Sequence, residues 1–180
     1  MFPKLQKPKN PSSFTYKSAP RIRPRLYSPY KIMNAIYNNP ETNNTLFLGD
    51  YRAAMDKKLL KEKNVKTVVT VAAGLAIHHP SNIKNVVYPV WDMVNFDISK
   101  YFSKGYEAIE NGLKEGSVLV HCAAGISRSA SMVIAYLMKK NGMKFEEVFR
   151  EVRSRRRVIC PNQGFIVQLK KFDKELMKTN

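Results

Sequence analysis

Residues 118–131, VLVHCAAGISRSAS, place one cysteine where a β-branched run ends and one arginine where an apolar run begins. The five residues between them are small or apolar, and Gly125 permits backbone conformations that aim successive N–H groups into one concavity. Together with the N-terminus of a helix predicted from residue 128, such a nest binds an anion of about phosphate size. A cysteine at its base is expected as a thiolate, because a helix N-terminus and a nearby cation both favour the charged sulfur. Cys122 would then sit behind a bound phosphorus, set for in-line attack. Arg128 has the planar fork that holds two phosphoryl oxygens at once, which a lysine cannot do. That grip should tighten as charge spreads over those oxygens in a loose transition state. Ala123, Ala124, Gly125, Ile126 and Ser127 would meet the substrate phosphate through their backbone. A lone cysteine would suit a buried structural place in a strand-to-helix turn. His-Cys, a small-residue loop and Arg-Ser at one junction argue for chemistry instead.

The rest of the chain must hold that turn in place. TLFLGD reads as a short strand ending at Gly49, and YRAAMDKKLLKEK has helical spacing with Ala53, Ala54, Leu59 and Leu60 inward. VKTVVTVA and NVVYPVW read as buried strands. SKYFSKGYEAIENGLKEG predicts a helix capped by Ser99, with Phe102, Tyr106, Ile109 and Leu113 on one face. SVLVH is the strand that delivers Cys122, and helices are predicted over 128–141, 145–156 and 163–177. Strands alternating with helices predict an α/β fold, a central, mostly parallel sheet flanked by helices on both faces. Ligands bind such sheets beyond the carboxyl ends of the strands, where the 122–128 loop would lie.

Composition bounds the partners. The chain has 180 residues, a formal net charge of +17 and two cysteines. That length suits one domain with its own core, and two unpaired cysteines suit a reducing compartment. No apolar run approaches the roughly 18 residues that cross a bilayer, so a cytoplasmic or nuclear protein is expected (host cytoplasm if viral). Residues 1–43 are set apart: positions 1–40 carry seven of the ten prolines and eight Lys or Arg, with no acid before Glu41. They are expected to be extended or disordered, with a catalytic domain over 44–177. The basic segment suits contact with an acidic surface or RNA. Monomer and homodimer both stay open, and His78 and His79 lack companions for a metal site.

HCAAGISRS fits the HCxxGxxR signature of cysteine-dependent phosphatases, and its flanks resemble the small, atypical dual-specificity protein phosphatases of the protein tyrosine phosphatase superfamily, cellular or poxvirus-type. The resemblance runs over about residues 44–177 and includes LFLGD, VWDMVNFDIS, VIAYLM and PNQGFIVQL. It implies hydrolysis of phosphotyrosine and phosphoserine or phosphothreonine in proteins through a cysteinyl-phosphate, without a cofactor. It also implies roles for other residues. Asp92, thirty residues before Cys122, would be general acid and then base; Asp97 is its rival, better explained as a helix cap. Ser129 would hydrogen-bond the leaving thiolate, His121 would orient the cysteine, and Asn162 would support the phosphate loop from behind. Cys160 reads as a small buried residue, with a redox partnership to Cys122 the alternative. RSRRR, 153–157, reads as a solvated basic helix end or a rim for acidic substrates. Phosphoinositide-cleaving relatives carry lysines within the loop, and RNA 5′-triphosphatase relatives carry Asn before the Arg and Thr-Gly after it; neither feature is present. An RNA 5′-phosphatase and a phosphoprotein-binding scaffold of little activity remain the alternative functions.

Overall fold

A computed structural model describes residues 31–179. The basic, proline-rich residues 1–30, and the contacts expected of them, lie outside the described residues. Among the described residues five strands form one sheet: β1 (Met33–Asn38), β2 (Thr45–Gly49), β3 (Val65–Val71), β4 (Lys84–Tyr88) and β5 (Ser117–His121). Their order is β1-β2-β5-β3-β4, with β1 antiparallel to β2 and the other neighbours parallel. Six helices accompany them: α1 (Tyr51–Met55), α2 (Lys57–Glu62), α3 (Phe102–Glu115), α4 (Arg128–Asn141), α5 (Phe145–Arg155) and α6 (Gln163–Thr179). The α/β class and the mostly parallel sheet are as the sequence predicts. Among the described residues no helix is long and apolar enough to cross a membrane.

Alternation along the central strands divides the core in two. Leu46, Leu48, Val69, Val71, Val118 and Val120 point to the face covered by α3 to α6, and Phe47, Val68 and Leu119 point to the face covered by α1 and α2. Helix α4 is the pivot of the larger half. Its residues Ser129 to Met138 are all buried, the pattern of a helix enclosed on every side, and α3, α5 and α6 all pack against it.

Strand β1 corrects the expected domain boundary at residue 44. The prolines and lysines of its neighbours set the composition of that window, and a β-bulge hides its period. Ala35 pairs with Phe47 and Tyr37 with Leu46, so Ile36 is the extra residue. The buried positions Met33 and Ile36 therefore fall three apart rather than two.

Two local differences have equally simple causes. The helix predicted from residue 51 breaks at Asp56, whose carboxylate accepts from Leu59 N at 2.9 Å and caps α2 while its backbone closes α1. Ser99 is not a helix cap: it opens a single 3-10 turn, Ser99–Tyr101, and its own amide and hydroxyl donate to Asp97 Oδ1 at 3.0 and 2.6 Å. These bonds hold the Asp97 carboxyl below the usual range, the hydroxyl contact contributing most.

Because Ile36 is fully buried, Ile36→Ala should lower the unfolding free energy by about 2–5 kcal/mol, the range for emptying a core aliphatic site. Urea denaturation checks this, and a loss below half a kilocalorie would return β1 to the status of an appended segment.

Candidate active site

Strand β5 stops at His121 and α4 begins at Arg128, and the turn between them holds Cys122 almost wholly out of solvent. The Gly125 amide and the Ser129 hydroxyl each donate to Cys122 Sγ at 3.2 Å. Both donors converge on the sulfur from the loop and from the first turn of α4. Gly125 stands at φ +67°, and a β-carbon there would meet Gly49 O at 2.5 Å and Arg156 Nη2 at 2.7 Å. Only glycine fits.

The carbonyls of the turn are bound on its outer side. Cys122 O faces His121 Nδ1 (3.3 Å), and Ala123 O accepts from Tyr51 N (3.3 Å). Ala124 O and Gly125 O accept from Arg156 Nη2 (3.5 Å) and Nε (2.9 Å). Ile126 O accepts from Cys160 N, and Ser127 O from Ser131 N, both at 2.9 Å. In a trans peptide the C=O and the following N–H point in opposite directions. Carbonyls held outward therefore turn the amides of residues 123–128 toward the concavity above the sulfur. No side chain caps α4, so its leading amides add to the same field.

Asp92 reaches this turn from the segment after β4. Its Oδ1 accepts from Ser127 Oγ at 2.7 Å and from Asn162 Nδ2 at 2.9 Å, and its Oδ2 lies 3.5 Å from Arg128 Nε. Among the described residues that Nε is buried without a hydrogen-bond partner, and Arg128 Nη1 makes only a long 3.4 Å contact to Val90 O. The guanidinium thus keeps donors in hand for an oxyanion. Ser127 Oγ is spent as a relay, accepting from Asn162 N at 3.1 Å while donating to Asp92.

His121 is fully buried, with Nε2 at 2.9 Å from Thr70 Oγ1. A carbonyl can only accept, so Nδ1 carries the proton toward Cys122 O and Nε2 accepts from the threonine hydroxyl. Burial lowers its pKa to about 4. The imidazole is neutral near pH 7 and is a fixed strut of the turn.

The dual specificity phosphatase catalytic-domain model matches residues 46–175. The chain belongs to this family. It is thereby one of the protein-tyrosine/serine/threonine phosphatases. Dual specificity protein phosphatase 1B of Arabidopsis thaliana is 42% identical over 137 residues, covering 76% of this chain and 82% of the relative. The crystal structure of human DUSP28 superposes with a TM-score of 0.73 at 30% identity, over 82% of this chain and 96% of that one. A mouse putative dual specificity phosphatase complexed with zinc tungstate superposes with a TM-score of 0.75 at 30% identity, over 82% and 90%.

The site of this phosphatase gathers Cys122, the 123–127 loop, Arg128, Ser129, His121, Asp92 and Asn162 in one place. The Asp97 carboxylate instead accepts from the amide and hydroxyl of Ser99. Asn162 supports the loop through its backbone, but its side chain goes to Asp92. Cys160 is exposed rather than buried. The residue missed by sequence reasoning is Arg156. It is not part of a solvated run: it is 3% exposed, and besides the loop carbonyls its Nη1 binds Lys31 O at 2.9 Å and Asn34 Oδ1 at 2.8 Å. A signal existed, since 156 continues the inward stripe of Phe145, Val148 and Val152 on α5.

Arg156→Lys should weaken inhibition by vanadate about tenfold or more, the equivalent of one hydrogen bond to a charged group. Arg153→Lys and Arg155→Lys, at exposed positions, should leave it unchanged. The neutral histidine sets a pH dependence of stability. Between pH 6.5 and about 4 the unfolded chain takes up a proton that folded His121 refuses, so stability falls as pH falls through that window. The loss is on the order of 3 kcal/mol, and urea midpoints of the protein and of His121→Gln should diverge in that range, with the variant showing the flatter profile.

Proposed function

We propose that this phosphatase hydrolyses phosphotyrosine and phosphoserine or phosphothreonine in proteins through a cysteinyl-phosphate. The observation that carries the reading is a buried sulfur with two donors on it, facing inward-turned amides, with a carboxyl anchored beside the arginine. Tungstate is a tetrahedral oxyanion, and its presence with the mouse relative supports the same class of ligand here.

The Cys122 thiolate attacks phosphorus as the ester P–O bond breaks, and protonated Asp92 gives its proton to the departing oxygen. The inward amides and the free donors of Arg128 hold the equatorial oxygens. Asp92, now a carboxylate, takes a proton from water as that water attacks phosphorus. The S–P bond breaks, Ser129 donates to the leaving thiolate, and inorganic phosphate departs. His121 positions the loop throughout. Ala123 and Ala124 are exposed on the loop, which suits an open pocket that admits short as well as long phosphorylated side chains.

Cys122→Ser should abolish turnover of an aryl phosphate. Asp92→Asn should lower turnover of phosphopeptides by about 10²–10⁴-fold while phosphate binding persists, and equal loss from Asp97→Asn would overturn the assignment. Matched phosphotyrosine and phosphothreonine peptides should both be dephosphorylated; activity on phosphotyrosine alone refutes dual specificity.

A further inference from the structure

The segment that presents Asp92 has little packing of its own. Trp91, Met93 and Val94 are all more than half exposed, and between β4 and the 3-10 turn at Ser99–Tyr101 the chain forms no helix or strand. Its internal ties are slight, Phe96 N to Met93 O at 3.1 Å and the Asp97–Ser99 pair. Ser127 and Arg128 hold Asp92 itself, Val90 and Ile98 are buried at the two ends, and between them the segment rests on the start of α6.

Contacts to Asn162 and to the first turns of α6 recur along it. Asn162 Nδ2 donates to Asp92 Oδ1. Gly164 lies flat against Val94: a β-carbon there would stand 1.8 Å from Val94 O and 2.7 Å from its carbonyl carbon, both backbone atoms that side-chain motion cannot relieve. Gln168, one turn further on, closes the series. Its Nε2 donates to Phe96 O at 2.9 Å, and its Oε1 accepts from Ile98 N at 2.8 Å and Ser99 N at 3.1 Å. A donor and an acceptor on one planar group are needed for that set, and a carboxamide supplies both. Residues 164 and 168 share a face of α6, and the segment facing them turns at Val94–Asn95, closed by Phe96 N to Met93 O.

We propose that Gln168 and Gly164 are positioning residues for proton transfer, holding the Asp92 segment in register over the phosphate site. The proposal rests on the reading of Asp92 as general acid. It gives the exposed segment a fixed height above Cys122 without a core of its own. A displacement of about 1 Å at a reacting group is enough to lose 10²-fold in rate.

The test separates proton delivery from general stability by leaving group. The phosphate ester of a strongly acidic phenol departs without a proton, whereas a phosphoserine peptide requires one. The readout is kcat/KM, which reports phosphoryl transfer to Cys122. Gln168→Met and Gly164→Ala should each lose on the order of tenfold or more on the phosphoserine peptide, within the reach of a displaced general acid, and less than about twofold on the activated aryl ester. Gln163→Met, exposed on the same helix end, should change neither. Equal losses on both substrates, or no loss on either, overturn the proposal. Should Gln168→Met fold poorly, Gln168→Glu keeps both accepting contacts and sets a carboxylate oxygen against Phe96 O in place of the donor, and the same substrate pair decides. Asp92→Asn runs alongside. If it fails to discriminate the substrates, the acid assignment itself falls; if it discriminates and the α6 variants do not, only the clamp falls.

Discussion

Six consecutive carbonyls turned outward set the character of this protein. A backbone loop has as many acceptors as donors and no net preference for an anion. It becomes an anion site only when its acceptors are occupied elsewhere. Here the partners of residues 122–127 come from His121, α1, Arg156, the chain before α6 and the first turn of α4. Each is individually worth little, and together they decide which way the amides face.

That constraint explains why so much of the fold converges on one turn. Cys122 follows the central strand β5, flanked by β2 and β3, and α4 leaves it through the middle of the core. Arg156 links the loop to Lys31 and Asn34 at the start of β1. The antiparallel edge strand is thus tied to the phosphate site although it contributes no side chain to it. Thr70 on β3 donates to His121 Nε2, so the neighbouring parallel strand also reports to the turn. A buried, positively charged arginine is tolerated because four oxygens surround it.

Legibility in the sequence followed the distance over which each feature is specified. The turn was legible because its parts lie within nine residues, HCAAGISRS. The central strands were legible because apolar alternation is a local record of burial. Strand β1 was not, since a bulge broke its period and its surroundings shared the composition of a solvated tail. Arg156 was hidden for a related reason: four arginines among residues 153–157 look alike in composition, and only the helix phase tells the inward one from the others. Cys160 was misjudged because small residues carry little burial signal, and its position depends on the backbone bond to Ile126 O.

By itself the sequence determined the α/β class, the family and the residues of the turn that joins β5 to α4, because residue type and short spacing are sufficient for these. Only the tertiary structure decided the direction of the loop amides, the hydroxyl partner of His121, the burial of Arg156 and the seating of the Asp92 segment on α6. Those properties depend on hydrogen bonds between atoms 31 to 125 residues apart. No local pattern encodes such partners, since each is chosen by where the packed helices and sheet bring the two ends together.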